Sequence, residues 1–194
     1  EHLSRPVTKA DVDLAEKIIT THGLPFNRKD WDIIVNEFGG HLPIHITALS
    51  EGTVVPTGTP LLTVRNPDER FAWLASFVET AILRAIWYPT TVATLSRECK
   101  IIIKSFLDLT SDNTETELPF KLHDFGGRGA TSSEAAQLGG MAHLVNFMGT
   151  DTVEALVAAQ HYYHCEMAGY SVPASEHSTM TSWGRGQEFE AYEN

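Results

Sequence analysis

Beyond residue 118, strand-like and helix-like segments alternate along the chain. "FKLHDF" is predicted to be a strand, "GGRG" its turn, and "TSSEAAQLGGMA", in which Thr131 and Glu134 have capping-box spacing, a helix. The order repeats with "HLVNF", "MGTD" and "TVEALVAAQHYYH", and again with "GYSVPA" and "SEHSTM". Strands that are separated by helices pair in parallel, because the connection returns the chain to the same end. An α/β sheet or barrel is therefore predicted for residues 118–194.

Residues 1–110 follow a different pattern, which predicts an α+β portion. "TKADVDLAEKIITTHG" has Thr8 before an acidic first turn and Gly23 at its end, as a capped helix should. "WDIIVNEF" predicts a second short helix. Over residues 41–65, alternating apolar residues and recurrent Gly and Pro predict three short antiparallel strands.

Two further helices are predicted from the apolar spacing that follows these strands. One begins at Glu69 and is ended by Pro89, and the other runs from Leu95 to Phe106. The polar run "SDNTETE" then predicts a loop. Because this run separates the strand-then-helix part from the alternating part, the domain boundary is expected there, with portions at 1–110 and 118–194.

The acidic composition argues against several classes of partner. Lys and Arg number 14 against 25 acidic residues, and the net charge of -11 would repel a phosphate backbone, so nucleic acid is not expected. The two cysteines in 194 residues indicate a reduced compartment rather than a disulfide framework. No apolar run approaches the roughly 20 residues that cross a bilayer. A cytoplasmic protein without a membrane partner is predicted.

Arg128 lies in the glycine-rich turn "GGRG", one of three turns expected at the carboxyl end of the strands. This end is where α/β barrels place their sites. Glycine lets the backbone approach a ligand, and the guanidinium offers a planar fork to phosphate or carboxylate. An ordinary ion pair between Arg128 and Asp124 explains the same residues, and the sequence leaves both interpretations open.

Asp151 begins the segment "DTVE", and its spacing to Glu154 favours a helix N-cap. If its carboxylate also faced the pocket, it would accept a hydrogen bond from a ligand amide. The same carboxylate would repel a ligand carboxylate at short range. The cap is the interpretation that spacing alone favours.

His177 is expected in or near the first turn of the last predicted helix. Free N–H groups and the helix dipole make such a position suitable for phosphate, and a neutral imidazole can attack a phosphoryl group. A half-exposed surface histidine is the more frequent case, and spacing does not decide. The cluster of His161, His164 and Cys165 is interpreted as an ordinary helix end, so no metal site is expected.

Three long motifs together resemble the nicotinamide phosphoribosyltransferase family: "KLHDFGGRGATSSEAA", "AHLVNFMGTDTV" and "GYSVPASEHSTMTSWG". The similarity continues through "GHLPIHITALSEGTVVPTGTPLLTV" and "WYPTTVATLSRE", in the same order. It implies a type II phosphoribosyltransferase, which joins nicotinamide to phosphoribosyl pyrophosphate in NAD salvage. The implied fold is an irregular α/β barrel beside an α+β domain, with residues 118–194 as the first units of an incomplete barrel.

The resemblance also implies roles for particular residues. Phe125 corresponds to the aromatic residue that stacks on the pyridine ring, and Arg128 to the arginine that reaches the pyridine and phosphate groups. Asp151 corresponds to the aspartate that accepts from the carboxamide, and Ser171 to a nearby hydroxyl. His177 corresponds to the histidine that ATP phosphorylates. Mg²⁺ with phosphoribosyl pyrophosphate, ATP as coupled substrate and a homodimer with an interface active site are implied in the same way.

Some features depart from the family pattern. Gly127 and Ser175 stand where relatives carry other residues, which leaves the named groups intact. The chain opens without methionine and is less than half as long as the family's chains, so a piece of a longer protein is expected, incomplete by itself. Two alternatives therefore remain beside the nicotinamide enzyme: a nicotinate phosphoribosyltransferase and a non-catalytic fragment or truncated homologue.

Overall fold

The computed structural model describes residues 2–194, which form two compact units. The first unit is Glu1–Ala85 and the second is Ile86–Asn194. The sequence places its boundary later, at the "SDNTETE" run, and that division into domains stays a prediction.

The first unit begins with two helices whose ends agree with the sequence. Helix α1 is Lys9–His22 and helix α2 is Arg28–Glu37. The Thr8 hydroxyl accepts from the Asp11 N–H, and the Asp11 carboxylate accepts from the Thr8 N–H. Gly23 ends α1 with a left-handed φ of 99°, a conformation that glycine adopts without strain. Both predicted helices are confirmed, since their signals are local.

The predicted three-stranded segment contains two strands. Strand β1 is His45–Ala48 and pairs antiparallel with β2, Leu62–Arg65. The residues between them turn at Gly52 and Gly58, both of which have positive φ. Prolines on either side of the second turn lack the N–H that a ladder requires. The expectation of a third strand at 41–65 is therefore wrong.

The core of the first unit lies where its helices and the following chain pack together. Its fully or nearly fully buried side chains are Val12, Trp31, Ile34, Phe71, Leu74 and Val78. The Trp31 ring meets the rings of Trp73 and Phe77 edge to face, with centroids 5.3 and 5.1 Å away. The Trp73 indole N–H donates to the Asp30 carboxylate at 2.9 Å, so its one polar atom is satisfied.

Helix α3, Leu74–Thr110, continues through Pro89. The prediction of two helices divided by this proline is wrong. Proline removes one backbone hydrogen bond, the one to the carbonyl of Ala85, but it leaves helical φ unchanged. Beyond it, contacts with the segment after α5 hold the helix. Lys100 Nζ donates to the Asn146 carbonyl at 2.6 Å, and Asn146 Nδ2 donates to the Ala93 carbonyl at 2.9 Å.

The second unit places parallel strands before helices. A short helix α4, Thr114–Glu117, lies within the expected loop, and strand β3, His123–Asp124, follows it. Strand β4, Gly149–Thr150, pairs parallel with β3, so that His123 is opposite Gly149. The remaining helices are α5 (Ser133–Leu144), α6 (Val153–Tyr163), α7 (His177–Ser182) and α8 (Glu188–Glu193). The predicted α/β class is confirmed.

Three details of this part differ from the prediction. "HLVNF" is not a strand. Its first two residues, His143 and Leu144, are the end of α5, and the chain then turns and buries Phe147. The strand is formed instead by the next residues, in the expected turn. Ser132, and not Thr131, caps α5 by accepting from the Ala135 N–H. "GYSVPA" contributes a single parallel bridge, between Tyr170 and Gly149.

Across residues 2–194, no helix has the length and apolar character of a membrane span.

Candidate ligand site at the end of the parallel strands

Asp151 directly follows β4, and its carboxylate does not cap α6. The N-cap of α6 is Thr152, which makes no side-chain cap bond. Asp151 Oδ1 instead accepts a hydrogen bond from Ser171 Oγ at 2.7 Å, and its N–H donates to the Asp124 carbonyl at 2.9 Å. The N-cap interpretation is therefore wrong. The backbone bond fixes Asp151 at the end of the sheet, and its carboxylate stays available to a ligand.

The electrostatics of this site keep Asp151 ionised. The Ser171 hydroxyl bond, with a smaller effect of His123, lowers the pKa of the Asp151 carboxyl below its usual value. The side chain is 40% exposed, so a ligand can reach it. An ionised acceptor that is held by a hydroxyl suits a ligand that donates N–H groups.

Phe125 and His123 lie beside this carboxylate. Their rings are in contact, with centroids 4.4 Å apart and planes tilted by 33°. His123 Nε2 lies 3.3 Å from Asp151 Oδ1, but its N–H direction does not meet hydrogen-bond geometry. Phe125 is 59% exposed and presents a ring for stacking. The structure thus brings Phe125, His123, Asp151 and Ser171 into one contiguous cluster.

His123 was not anticipated as a site residue. The signal was present in "KLHDF", because residues two apart in a strand share a face, and Phe125 was already a candidate. A histidine on the same face of the strand as a candidate stacking residue is itself a candidate to contact the ligand.

Arg128 lies in the short 3₁₀ turn Gly127–Gly129 between β3 and α5. The alternative ion pair with Asp124 is not seen within residues 2–194, and Asp124 Oδ1 instead accepts from the Gly126 N–H at 2.7 Å. A Cβ added at Gly127 would meet Thr152 Oγ1 at 3.5 Å, an ordinary contact. A larger residue there is therefore compatible with the same turn. The Arg128 guanidinium therefore stays available in the connection between β3 and α5, which also contains Phe125.

His177 begins the short helix α7, as predicted, but the helix start is already occupied. Glu176 Oε2 accepts from the N–H groups of Ser178 at 2.7 Å and Thr179 at 3.1 Å. The expectation of free N–H groups there is therefore wrong. His177 Nε2 lies 3.0 Å from Glu176 Oε1, and the histidine side chain is 90% exposed. The Ser178 hydroxyl has the largest effect in lowering the pKa of Glu176. The N–H groups of Thr179 and Ser178 and the neighbouring His177 lower it further.

A cavity of about 320 Å³ lies in the second unit, bordered by the middle of α3 (Tyr88, Val92 and Ser96), by β3 and by α5. His123 and Phe125 line it, together with Thr152, whose buried Oγ1 has no hydrogen-bond partner within the described chain. Asp151 and Ser171 are not among its lining residues. The cavity and the cluster therefore share His123 and Phe125.

Two family models match separate parts of the chain. Residues 120–194 match the nicotinate phosphoribosyltransferase (NAPRTase) family, and residues 2–46 match the N-terminal domain of nicotinamide phosphoribosyltransferase. The first match covers the whole candidate site. These matches define the class, the phosphoribosyltransferases of the pyridine bases.

Curated relatives carry the more specific description. A nicotinamide phosphoribosyltransferase of Xanthomonas campestris pv. campestris is 54% identical over 194 residues, which are all of this chain and 41% of that protein. Proteins of the same name from Acinetobacter baylyi and Mycoplasma pneumoniae are 36% and 34% identical over 154 residues, which are 30% and 31% of their lengths. The chain belongs to the nicotinamide phosphoribosyltransferase family, and it spans at most about two fifths of these relatives.

Proposed function

We propose that the full-length protein is a nicotinamide phosphoribosyltransferase. It joins nicotinamide to phosphoribosyl pyrophosphate, forming nicotinamide mononucleotide and releasing pyrophosphate in NAD salvage. The observation that carries this proposal is the Asp151 carboxylate, held by the Ser171 hydroxyl beside the Phe125 and His123 rings. Family membership supports the same activity.

In this proposal each residue of the cluster binds one part of the base. The exposed ring of Phe125 stacks on the pyridine, since offset aromatic stacking favours a flat ring. Asp151 accepts a hydrogen bond from the carboxamide N–H, and Ser171 supports it. Arg128, three residues after Phe125 in the connection between β3 and α5, offers its guanidinium fork to the phosphate of the second substrate.

Nicotinate differs from nicotinamide by placing a negative charge where the amide N–H would be. An ionised Asp151 repels that charge, and its lowered pKa keeps it ionised near neutral pH. The nicotinate activity is therefore disfavoured by the residue that recognises the amide.

We assign His177 the role of accepting the phosphoryl group of ATP. Glu176 Oε1 lies 3.0 Å from His177 Nε2, and this carboxylate favours the tautomer of neutral His177 that carries its proton on Nε2 and keeps a lone pair on Nδ1. Nδ1 attacks the γ-phosphorus, the bond to the ADP oxygen breaks, and ADP leaves; water later hydrolyses the phosphohistidine. Glu176 balances the charge of the imidazolium that forms.

The remaining parts of the proposal rest on the family. Within residues 2–194 no group of three or more His, Cys, Asp or Glu side chains could hold a metal ion. Mg²⁺ is usually held by one or two carboxylates together with substrate phosphates and water, so in this proposal the cation arrives bound to phosphoribosyl pyrophosphate. An irregular α/β barrel, a homodimer with an interface active site and a cytoplasmic location complete the proposal. The 194-residue segment alone is expected to be inactive.

The test is a competition assay on the full-length protein. Nicotinamide and nicotinate are supplied together with phosphoribosyl pyrophosphate, ATP and Mg²⁺, and both mononucleotides are quantified by mass spectrometry. Nicotinamide mononucleotide should dominate, and Asp151→Ser should lower that preference by roughly tenfold or more, the loss expected for a hydrogen bond to a charged group. Asp112→Ser, at an exposed position outside the cluster, is the control. A wild-type preference for nicotinate would overturn the assignment.

A further inference from the structure

His123 is a buried polar side chain without a hydrogen bond. Its side chain is 10% exposed, and neither ring nitrogen has a partner within the described chain. Leaving a buried polar group unpaired costs free energy, so such a group in a folded protein calls for an explanation. The neighbouring candidate site supplies one.

The imidazole ring is confined on two sides. Phe125 lies against one face, with a centroid distance of 4.4 Å. On the paired strand, a Cβ added at Gly149 would lie 2.7 Å from His123 Nδ1, closer than real Cβ contacts come. Position 149 therefore has to be glycine for the ring to occupy this place, and the ring edge that carries Nε2 faces Asp151.

Two polar side chains approach one oxygen of Asp151, and one of them donates a hydrogen bond to it. Ser171 Oγ donates to Oδ1 at 2.7 Å, and His123 Nε2 lies 3.3 Å from the same atom. Within residues 2–194 no hydrogen bond to Oδ2 is seen, which leaves that oxygen for a ligand.

We infer that His123 is a positioning residue that acts on nicotinamide through Asp151. When the ligand binds, Nε2–H donates to Asp151 Oδ1, and this second bond directs Oδ2 toward the carboxamide N–H. The proton of the neutral ring is on Nε2, while Nδ1 faces Gly149. This role deepens the proposed function and rests on it. The competing explanation is that His123 only supports the ring of Phe125.

Two substitutions in the full-length protein separate the explanations. His123→Phe keeps an aromatic ring against Phe125 but removes the donor, whereas His123→Gln removes the ring but keeps an N–H near the position of Nε2. If His123 positions Asp151, the Phe variant raises KM for nicotinamide at least about tenfold and lowers the preference over nicotinate by a similar factor. Its kcat stays within about threefold, and the Gln variant keeps KM within about threefold. If His123 only packs, the order of the two variants is reversed.

Gly149→Ala and His161→Phe complete the design. The first keeps the imidazole but displaces it, so it should raise KM for nicotinamide as His123→Phe does. If His123→Phe does not fold, the Gln variant decides the question, because a retained KM supports positioning and a raised KM supports packing. The second replaces an exposed histidine on α6 and should leave both constants unchanged. The inference about His123 would be overturned by an unaltered KM and base preference in the folded His123→Phe variant, or by a higher KM for nicotinamide in His123→Gln than in His123→Phe. Neither result would affect the proposed function. A wild-type protein that forms no mononucleotide would instead refute the proposed function.

Discussion

The contact between α5 and α6 allows a sharp test, because two adjacent glycines differ in what surrounds them. A Cβ added at Gly140 would lie 2.4 Å from the Ala155 Cβ of α6 and 3.3 Å from Asp124 Oδ2. A Cβ added at Gly139 would meet the Tyr88 hydroxyl at 2.6 Å, at the far end of a flexible side chain. Gly140→Ala therefore requires the two helices to move apart, whereas Gly139→Ala requires one side chain to shift.

The expected magnitude follows from two opposing effects. Each substitution gains about 1 kcal/mol of helix propensity, and this gain cancels when the two variants are compared. Inserting a methyl group into a closely packed contact costs about 1–3 kcal/mol, which applies in full only at Gly140. The Gly140→Ala variant should therefore be less stable than Gly139→Ala by about 1–3 kcal/mol in the opening of α5 and α6.

Hydrogen exchange measured by mass spectrometry on the full-length protein gives this local free energy directly. The amides of α5 and α6 should exchange about 5-fold to 150-fold faster in Gly140→Ala than in Gly139→Ala. KM for nicotinamide should also rise in Gly140→Ala, because only the N-cap Thr152 separates Asp151 from α6. Equal exchange in the two variants, within about twofold, would refute the view that a close contact at Gly140 holds these helices together.

Three other predictions concern the site and the two units. Ser171→Ala removes the largest cause of the lowered pKa of Asp151, so the acid limb of kcat/KM for nicotinamide should move to higher pH; an unmoved limb would contradict the hydrogen bond. Because the folded pKa of Asp151 is depressed, its contribution to stability is present above its unfolded pKa and is lost as the pH falls through the folded value. Thr8→Ala should cost about 1 kcal/mol of local stability in α1, measured by hydrogen exchange, and unchanged protection there would argue against the capping box. Phe147→Ala, which empties a position that is 1% exposed, should cost about 3–5 kcal/mol in chemical denaturation, and a loss below about 1 kcal/mol would show that the site collapses or is solvated.

Local chemistry explains which elements could be predicted from the sequence. The capping box at Thr8 and the left-handed Gly23 act within a few residues, so α1 was predicted with its ends. Pro89 is also a local signal, but the helix end that it predicted is wrong. The helix continues past Pro89, and hydrogen bonds of Lys100 and Asn146 join this later part of α3 to a segment distant in sequence, which a local signal does not contain.

Strand β4, next to the candidate site, could not be predicted from local sequence either. Apolar residues in "HLVNF" suggested a strand, yet the ladder with β3 uses Gly149 and Thr150, which carry little hydrophobic signal. Glycine is needed at position 149 because the His123 ring occupies the space beside it. A partner on another strand therefore decides this register, and no window of local sequence contains that information.

The sequence by itself determined the family and the mixed α/β class of the second unit, and its resemblance to that family named Phe125, Arg128, Asp151, Ser171 and His177 as candidate site residues, though not His123. Its motifs carry that information in the residue types themselves. Only the tertiary structure decided how those residues are used. Asp151 is bound by Ser171 instead of capping its helix, Glu176 fills the helix start at His177, and His123 is buried without a partner beside the carboxylate. Each of these outcomes depends on distances and directions between side chains, which chain folding creates and residue spacing does not encode.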